Sequence, residues 1–255
     1  MPPSVELNLT PDTRWTLDAE DLVPMTAAAG FSGLGMKGAK ITADAPAIYA
    51  SAGIRCHEVM ALLITDDDEA TLNWAQRLTD SAAIVGAPWI VTTFVADIDE
   101  RRLELIERCA AMFADAGAGM AVEFSPAGSV SSINEGLAIV DVVGTDRARL
   151  LVDSWHFHVG ASTWEDLANL RPEQLAYVQF NDVKPPSSDD LMVETMERRA
   201  MPGDGVVDLD RFATTLLEGG FKGVVSVEVL NRELCQLPVP EFMRRAYDSS
   251  ARYWR

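Results

Sequence analysis

Four short apolar runs in the second half of the chain each close on one side chain that offers an oxygen. They are Met120-Ala121-Val122-Glu123, Leu150-Leu151-Val152-Asp153, Ala176-Tyr177-Val178-Gln179 and Val225-Ser226-Val227-Glu228. Their length, unbroken apolar character and β-branched content are those of strands buried on both faces, as in a parallel sheet. The oxygen-bearing residue stands where such a strand reaches its carboxyl end. Taken singly, an acid in that place is a turn residue or a helix cap. Four together predict oxygens meeting at one point, which is a divalent metal site.

The remaining pattern alternates in the same rhythm. Strands are predicted at residues 5–9, 31–36, 54–64 and 89–94, ahead of the four runs. Helices are predicted at 17–29, 44–52, 66–85, 99–116, 133–143, 163–170, 209–218 and 240–253, from 3.6-residue apolar spacing, acidic first turns and glycine stops. Only residues 183–205 break the rhythm. With Pro185-Pro186-Ser187-Ser188 and Pro202-Gly203 they read as a long loop, and a loop of that length in a compact domain usually covers a site. Eight strands alternating with helices, with no linker, predict an α/β fold: a (β/α)8 TIM barrel, one domain over residues 1–255. No GxGxxG follows the first strand, so a dinucleotide fold loses support.

Composition narrows the chemistry. The 255 residues fit one such barrel, and the net charge of −18 disfavours nucleic acid as a partner and requires local cations for any anionic substrate. No apolar stretch is long enough to span a membrane, and Met1-Pro2-Pro3-Ser4-Val5-Glu6 lacks a basic start, so a cytoplasmic protein without membrane contact is expected. Cys56, Cys109 and Cys235 show no CxxC spacing and read as reduced structural thiols. Glu123, Asp153, Gln179 and Glu228 are all oxygen donors, a set suited to Mn2+ or Mg2+ and poor for tight structural zinc. Trp155 reads either as a wall of the pocket or as core packing. Asp182 is expected to orient a ligand or to pair with Lys184. His57 reads as core, with lining of the barrel mouth beside Glu58 as the alternative.

The segments Ala121-Val122-Glu123-Phe124, Val152-Asp153-Ser154-Trp155-His156, Val178-Gln179-Phe180-Asn181-Asp182, Arg199-Ala200-Met201-Pro202-Gly203-Asp204-Gly205 and Ser226-Val227-Glu228-Val229 resemble the xylose isomerase-like barrel superfamily. Within it they are most similar to the sugar phosphate isomerase and epimerase group. The resemblance implies a metal held by Glu123, Asp153, Gln179 and Glu228. Most members have His at the third position, and hydroxypyruvate isomerases and some 3-dehydroshikimate dehydratases are similar to this chain in having Gln. It further implies that His156, on the turn leaving strand six, faces the substrate, and that Arg199 approaches it. Glu123 and Glu228 would move the α-proton of a small sugar or hydroxy-keto acid through a metal-stabilised enediolate, with His156 as a further catalytic group. The expected activity is isomerase or epimerase; the alternative is a dehydratase of the 3-dehydroshikimate or inosose type. A repair nuclease resembling endonuclease IV is disfavoured, since only three histidines are present. Whether copies of the chain assemble into a homo-oligomer is left open.

Overall fold

A parallel strand can satisfy its backbone only against neighbours on both sides, and here the row of strands meets its own beginning. The computed structural model describes residues 5–254. Strands β1 (Glu6–Leu9), β3 (Glu58–Ile64), β4 (Trp89–Phe94), β5 (Gly119–Glu123), β6 (Ala148–Asp153), β7 (Leu175–Phe180) and β8 (Val224–Val227) are joined by a divided β2. The first piece of β2, Gly33–Leu34, pairs with β1, and the second, Met36–Lys37, pairs with β3. Since β1 also pairs in parallel with β8, from Glu6 opposite Val224 to Leu9 opposite Val227, the barrel closes. The predicted eight-strand parallel barrel is the fold of this chain.

Strand pleating sorts each run onto two faces. Val122, Val152, Val178 and Val227 point outward and join the large core between sheet and helices, with Phe113, Phe180, Phe212 and Phe242. Ala121, Leu151 and Tyr177 point inward and form a small lumen core with Val91 and Val224. Glu123, Asp153 and Gln179 lie two residues further on and share that inward face at the carboxyl end. Burying two faces of every strand is what produced the unbroken apolar runs.

The helices are α1 (Ala19–Ala28), α2 (Ala45–Ala52), α3 (Asp68–Val85), α4 (Glu100–Asp115), α5 (Ile133–Val143), α6 (Ser154–Val159), α7 (Trp164–Ala168), α8 (Leu191–Glu197), α9 (Leu209–Glu218) and α10 (Val239–Ala251). Side-chain caps start several of them: Asp67 accepts from the Ala70 N–H at 2.9 Å, and Asp99 from that of Arg102 at 2.7 Å.

Three expectations are corrected. The third strand begins at Glu58, because residues 54–57 make only an isolated bridge, Arg55 to Gly33. The chain leaves β6 directly into α6, so His156 lies on a helix and not on a turn. Residues 183–205 are no bare loop: they contain α8 and an antiparallel ladder of Asp182–Val183 with Arg199–Ala200. Cys56, Cys109 and Cys235 are buried and free, as expected. Among the described residues no helix is long and apolar enough to cross a membrane. Residues 1–4 of the N-terminal stretch lie outside the described residues.

Candidate metal centre

Asp153 is placed by two jobs at once. It ends β6 and caps α6, its Oδ1 accepting from the Trp155 N–H at 2.6 Å and the His156 N–H at 3.3 Å. The Asn181 amide adds bonds of 3.1 and 3.2 Å to its two oxygens, and the side chain is fully buried. Burial alone would raise this carboxyl, but Arg199, His156, Asn181 and the Trp155 N–H outweigh it and hold it below the usual carboxylate range.

Glu123 on β5 and Gln179 on β7 meet Asp153 inside the mouth. The terminal amide atom of Gln179 that faces them lies 3.0 Å from Glu123 Oε1 and 3.2 Å from Asp153 Oδ2. With its nitrogen turned in, Gln179 donates to both carboxylates. With its oxygen turned in, three oxygens share one small space with no hydrogen between them, which is stable only around a cation. His156 joins the group, its Nε2 at 3.4 Å from Glu123 Oε1 and its buried Nδ1 without a protein partner. One ligand atom each from Glu123, Asp153 and His156 falls within 4.8 Å of the others.

Arg199 ties the fourth predicted residue to this group. Its Nη1 donates to Asp153 Oδ2 at 2.7 Å and to Glu228 Oε2 at 2.8 Å, and the side chain is 2% exposed. Thr195 of α8 fixes the rest of the fork, taking Nε at its carbonyl and Nη2 at its hydroxyl, both at 2.9 Å. Trp155, buried, lies beneath the guanidinium at 5.8 Å and meets the His156 ring edge-on at 5.3 Å. The sequence reading brought Arg199 toward substrate; here the guanidinium turns inward and bridges two of the acids.

The charges balance only when the acids take up protons or another cation enters. Burial drives the Glu228 carboxyl up to about 8, reinforced by Glu123, Asp153 and Glu58 and opposed by Arg199. Three acids face one guanidinium, a net of about −2 if all ionise, so a divalent ion would neutralise the cluster. The donor set and the charge deficit of the ionised cluster fit such an ion.

Asp182 performs neither predicted task. Its Oδ2 accepts from the Gly203 and Gly205 N–H groups, each at 2.9 Å, and its Oδ1 from Val183 at 2.8 Å and Val207 at 3.0 Å. Lys184 bonds to the Asp204 carbonyl instead. Four backbone donors on one buried carboxylate clasp the segment that carries Arg199. Gly203 sits at φ 91°, and a Cβ at Gly205 would lie 2.4 Å from Asp182 Oδ1, so this clasp needs both glycines. His158 is exposed on the outer side of α6. Sequence reading missed Asn8, Thr10, Tyr177 and Ser226, which line the lumen below the site. The one signal for them was polar residues inside otherwise apolar strands.

Residues 27–255 match the family described as Xylose isomerase-like TIM barrel. Among curated proteins, the inosose isomerase of Bacillus licheniformis is 30% identical over 158 residues, covering 60% of this chain and 55% of that protein. That of Bacillus subtilis (strain 168) is 32% identical over 134 residues, covering 51% of this chain and 46% of the relative. The chain thus matches about half the length of these relatives. Among solved structures, the IolI protein with a binding zinc atom superposes with a TM-score of 0.86 at 21% identity, covering 97% of each chain. D-allulose 3-epimerase from Methylomonas sp. in complex with D-allulose gives 0.78 at 16% identity, covering 99% of this chain and 98% of that one. At those identities the structures support the fold.

Proposed function

The chain belongs to the xylose isomerase-like TIM barrel family, and from that premise we propose that it is a divalent-metal-dependent isomerase or epimerase of a small hydroxy-carbonyl sugar. The observation that carries the proposal is the meeting of Glu123, Asp153 and Gln179 at 3.0–3.2 Å, with Glu228 held to the same group through Arg199. Glu123, Asp153, Gln179 and Glu228 would hold the ion. An oxygen-only set favours Mn2+ or Mg2+, and the zinc in the IolI structure makes zinc the third ion to try. When bound, such an ion supplies Lewis acidity toward a carbonyl and its neighbouring hydroxyl and so eases loss of the α-proton.

The chain's own residues divide the remaining work. Glu123 and Glu228 stand on strands separated by two others and flank the substrate from opposite sides; one takes the α-proton and the other returns it. His156, with Nδ1 unpartnered, holds or protonates a substrate oxygen. Arg199 holds Asp153 and Glu228 in place and balances part of their charge. Trp155 closes the wall behind them. The named inosose isomerases support cyclic polyol ketones as the first substrates to test, with linear ketoses beside them.

The test is metal analysis of the purified protein, combined with a screen over inososes, ketoses, hydroxypyruvate and 3-dehydroshikimate. Turnover should vanish on chelation and return with Mn2+ or Mg2+, and the carbon-bound hydrogen next to the carbonyl should exchange in D2O. Growth of a conjugated ultraviolet chromophore would instead identify loss of water and replace the isomerase assignment by a dehydratase. Metal-independent turnover would overturn the metal centre.

A further inference from the structure

Glu58, one of the pair set aside as lining the mouth, is built into the lumen with care. It starts β3, is fully buried, and lies across Gly35 between the two pieces of β2, where an added Cβ would come 2.2 Å from its Oε1. Among the described residues its only side-chain partners are two hydroxyls: Thr10 Oγ1 at 2.7 Å and Ser226 Oγ at 3.2 Å. Those hydroxyls are themselves 2.7 Å apart. Three oxygens each within hydrogen-bond distance of the other two need three protons, and Thr10 and Ser226 bring one each. A proton on the carboxyl makes all three contacts hydrogen bonds at once.

The surroundings agree. Glu58 Oε2 is buried without a partner, which an ionised carboxylate could not sustain cheaply. Among the described residues, the titratable groups that bear on its charge are Glu123 from β5, Glu228 just past β8, Tyr177 from β7, Tyr49 from α2 and Cys56 two residues ahead of it, while burial moves neighbouring His57 down to about 3 and so keeps it neutral. Two are acids and none is a cation. Burial moves its carboxyl up to about 7 against the pull of the two hydroxyls, with Glu123 pushing the same way.

The geometry points to Glu58 as a further positioning residue, carried as a neutral carboxylic acid that closes a three-membered hydrogen-bond ring with Thr10 and Ser226. Ser226 precedes Glu228 by two residues on β8, so this ring sets the strand end that presents Glu228. The protonated state follows from the lumen alone; the positioning role rests on the metal reading above.

Two measurements on metal-free protein test the proton. The infrared difference spectrum between wild type and Glu58→Gln at pH 5 should show the carbonyl stretch of a buried carboxylic acid in wild type only. Thr10→Val, which removes a donor and leaves the carboxyl, should shift that band. A folded-state pKa above the unfolded value means stability present at low pH and lost as pH rises, so the melting temperature of Glu58→Gln relative to wild type should climb from pH 5 to 8. Absence of the band, or a melting difference constant with pH, overturns the neutral acid. For the positioning role, Mn2+ titration should give Glu58→Gln close to wild type and Glu58→Ala weaker by about 10-fold or more, as when a ligand loses its supporting hydrogen bonds. Equal affinity in wild type and Glu58→Ala overturns that role. Failure of wild type to bind Mn2+ would strike the metal reading, while the band still decides the proton.

Discussion

Replacing Arg199 by Met tests the charge balance of the chamber. Methionine keeps most of the stem and removes the fork that holds Asp153 at 2.7 Å and Glu228 at 2.8 Å. Both acids are then buried with no counter-cation, one fully and one 8% exposed. Breaking a buried ion pair by removing one partner costs about 3–5 kcal/mol. In a chain of this size each kcal/mol moves the melting temperature by about 2–4 °C, so the metal-free variant should melt about 6–20 °C below wild type. Added Mn2+ should close most of that gap, because a divalent ion at the same oxygens supplies the missing positive charge. Acidification should narrow it too. Wild-type Asp153 is held below its ordinary range partly by Arg199 and keeps its contribution at both pH 5 and pH 7, whereas in the variant the buried acids left without their cation take up protons as pH falls and the penalty shrinks. Scanning calorimetry at pH 5 and 7, each with and without Mn2+, reads all four values. A gap at pH 7 that saturating Mn2+ leaves unchanged would refute the idea that ion and guanidinium balance the same acids.

Glu123→Gln and Glu228→Gln should each lower turnover by about 100-fold or more, as expected for loss of a proton-transfer group, with circular dichroism unchanged; retention of most activity in either would remove that residue from proton transfer. Because Glu228 is pushed up to about 8 and the ion needs it ionised, Mn2+ affinity should rise from pH 6 to 8 with proton release, seen as a buffer-dependent calorimetric enthalpy. Asp182→Asn turns an NH2 toward backbone donors that now bond to the carboxylate, and should cost about 1–3 kcal/mol by denaturant unfolding while speeding proteolysis within residues 183–205. Gly35→Ala forces a Cβ toward Glu58 Oε1 and should lose about 1–3 kcal/mol by overpacking, part of it recovered by shortening the acid in Gly35→Ala/Glu58→Asp.

What the sequence disclosed follows from where side chains were obliged to go. The four runs were legible because each strand is buried on both faces, so the only polar side chain at its end stands out. Val152 faces the helices and Asp153 the lumen, and that alternation is written in the order of the residues. Arg199 was visible as a type but not as a direction. Whether its guanidinium turns out to substrate or in to Asp153 depends on the short helix α8 and on Thr195, and α8 hides between proline-rich turns in a stretch that looks like loop. Asp182 misled for a related reason: its partners are backbone N–H groups of residues 203, 205 and 207, which no side-chain pattern announces. Glu58 was the hardest to place. Its meaning lies in Gly35 between the two pieces of β2, Thr10 just past β1 and Ser226 on β8, which only barrel closure brings beside it. Pattern along one strand shows which face a residue takes, whereas a group whose partners come from the two ends of the chain becomes legible only when β1 pairs with β8. The acids at the strand ends are of the first kind and the proton beneath them of the second, so a site of this fold is half written in periodicity and half in closure.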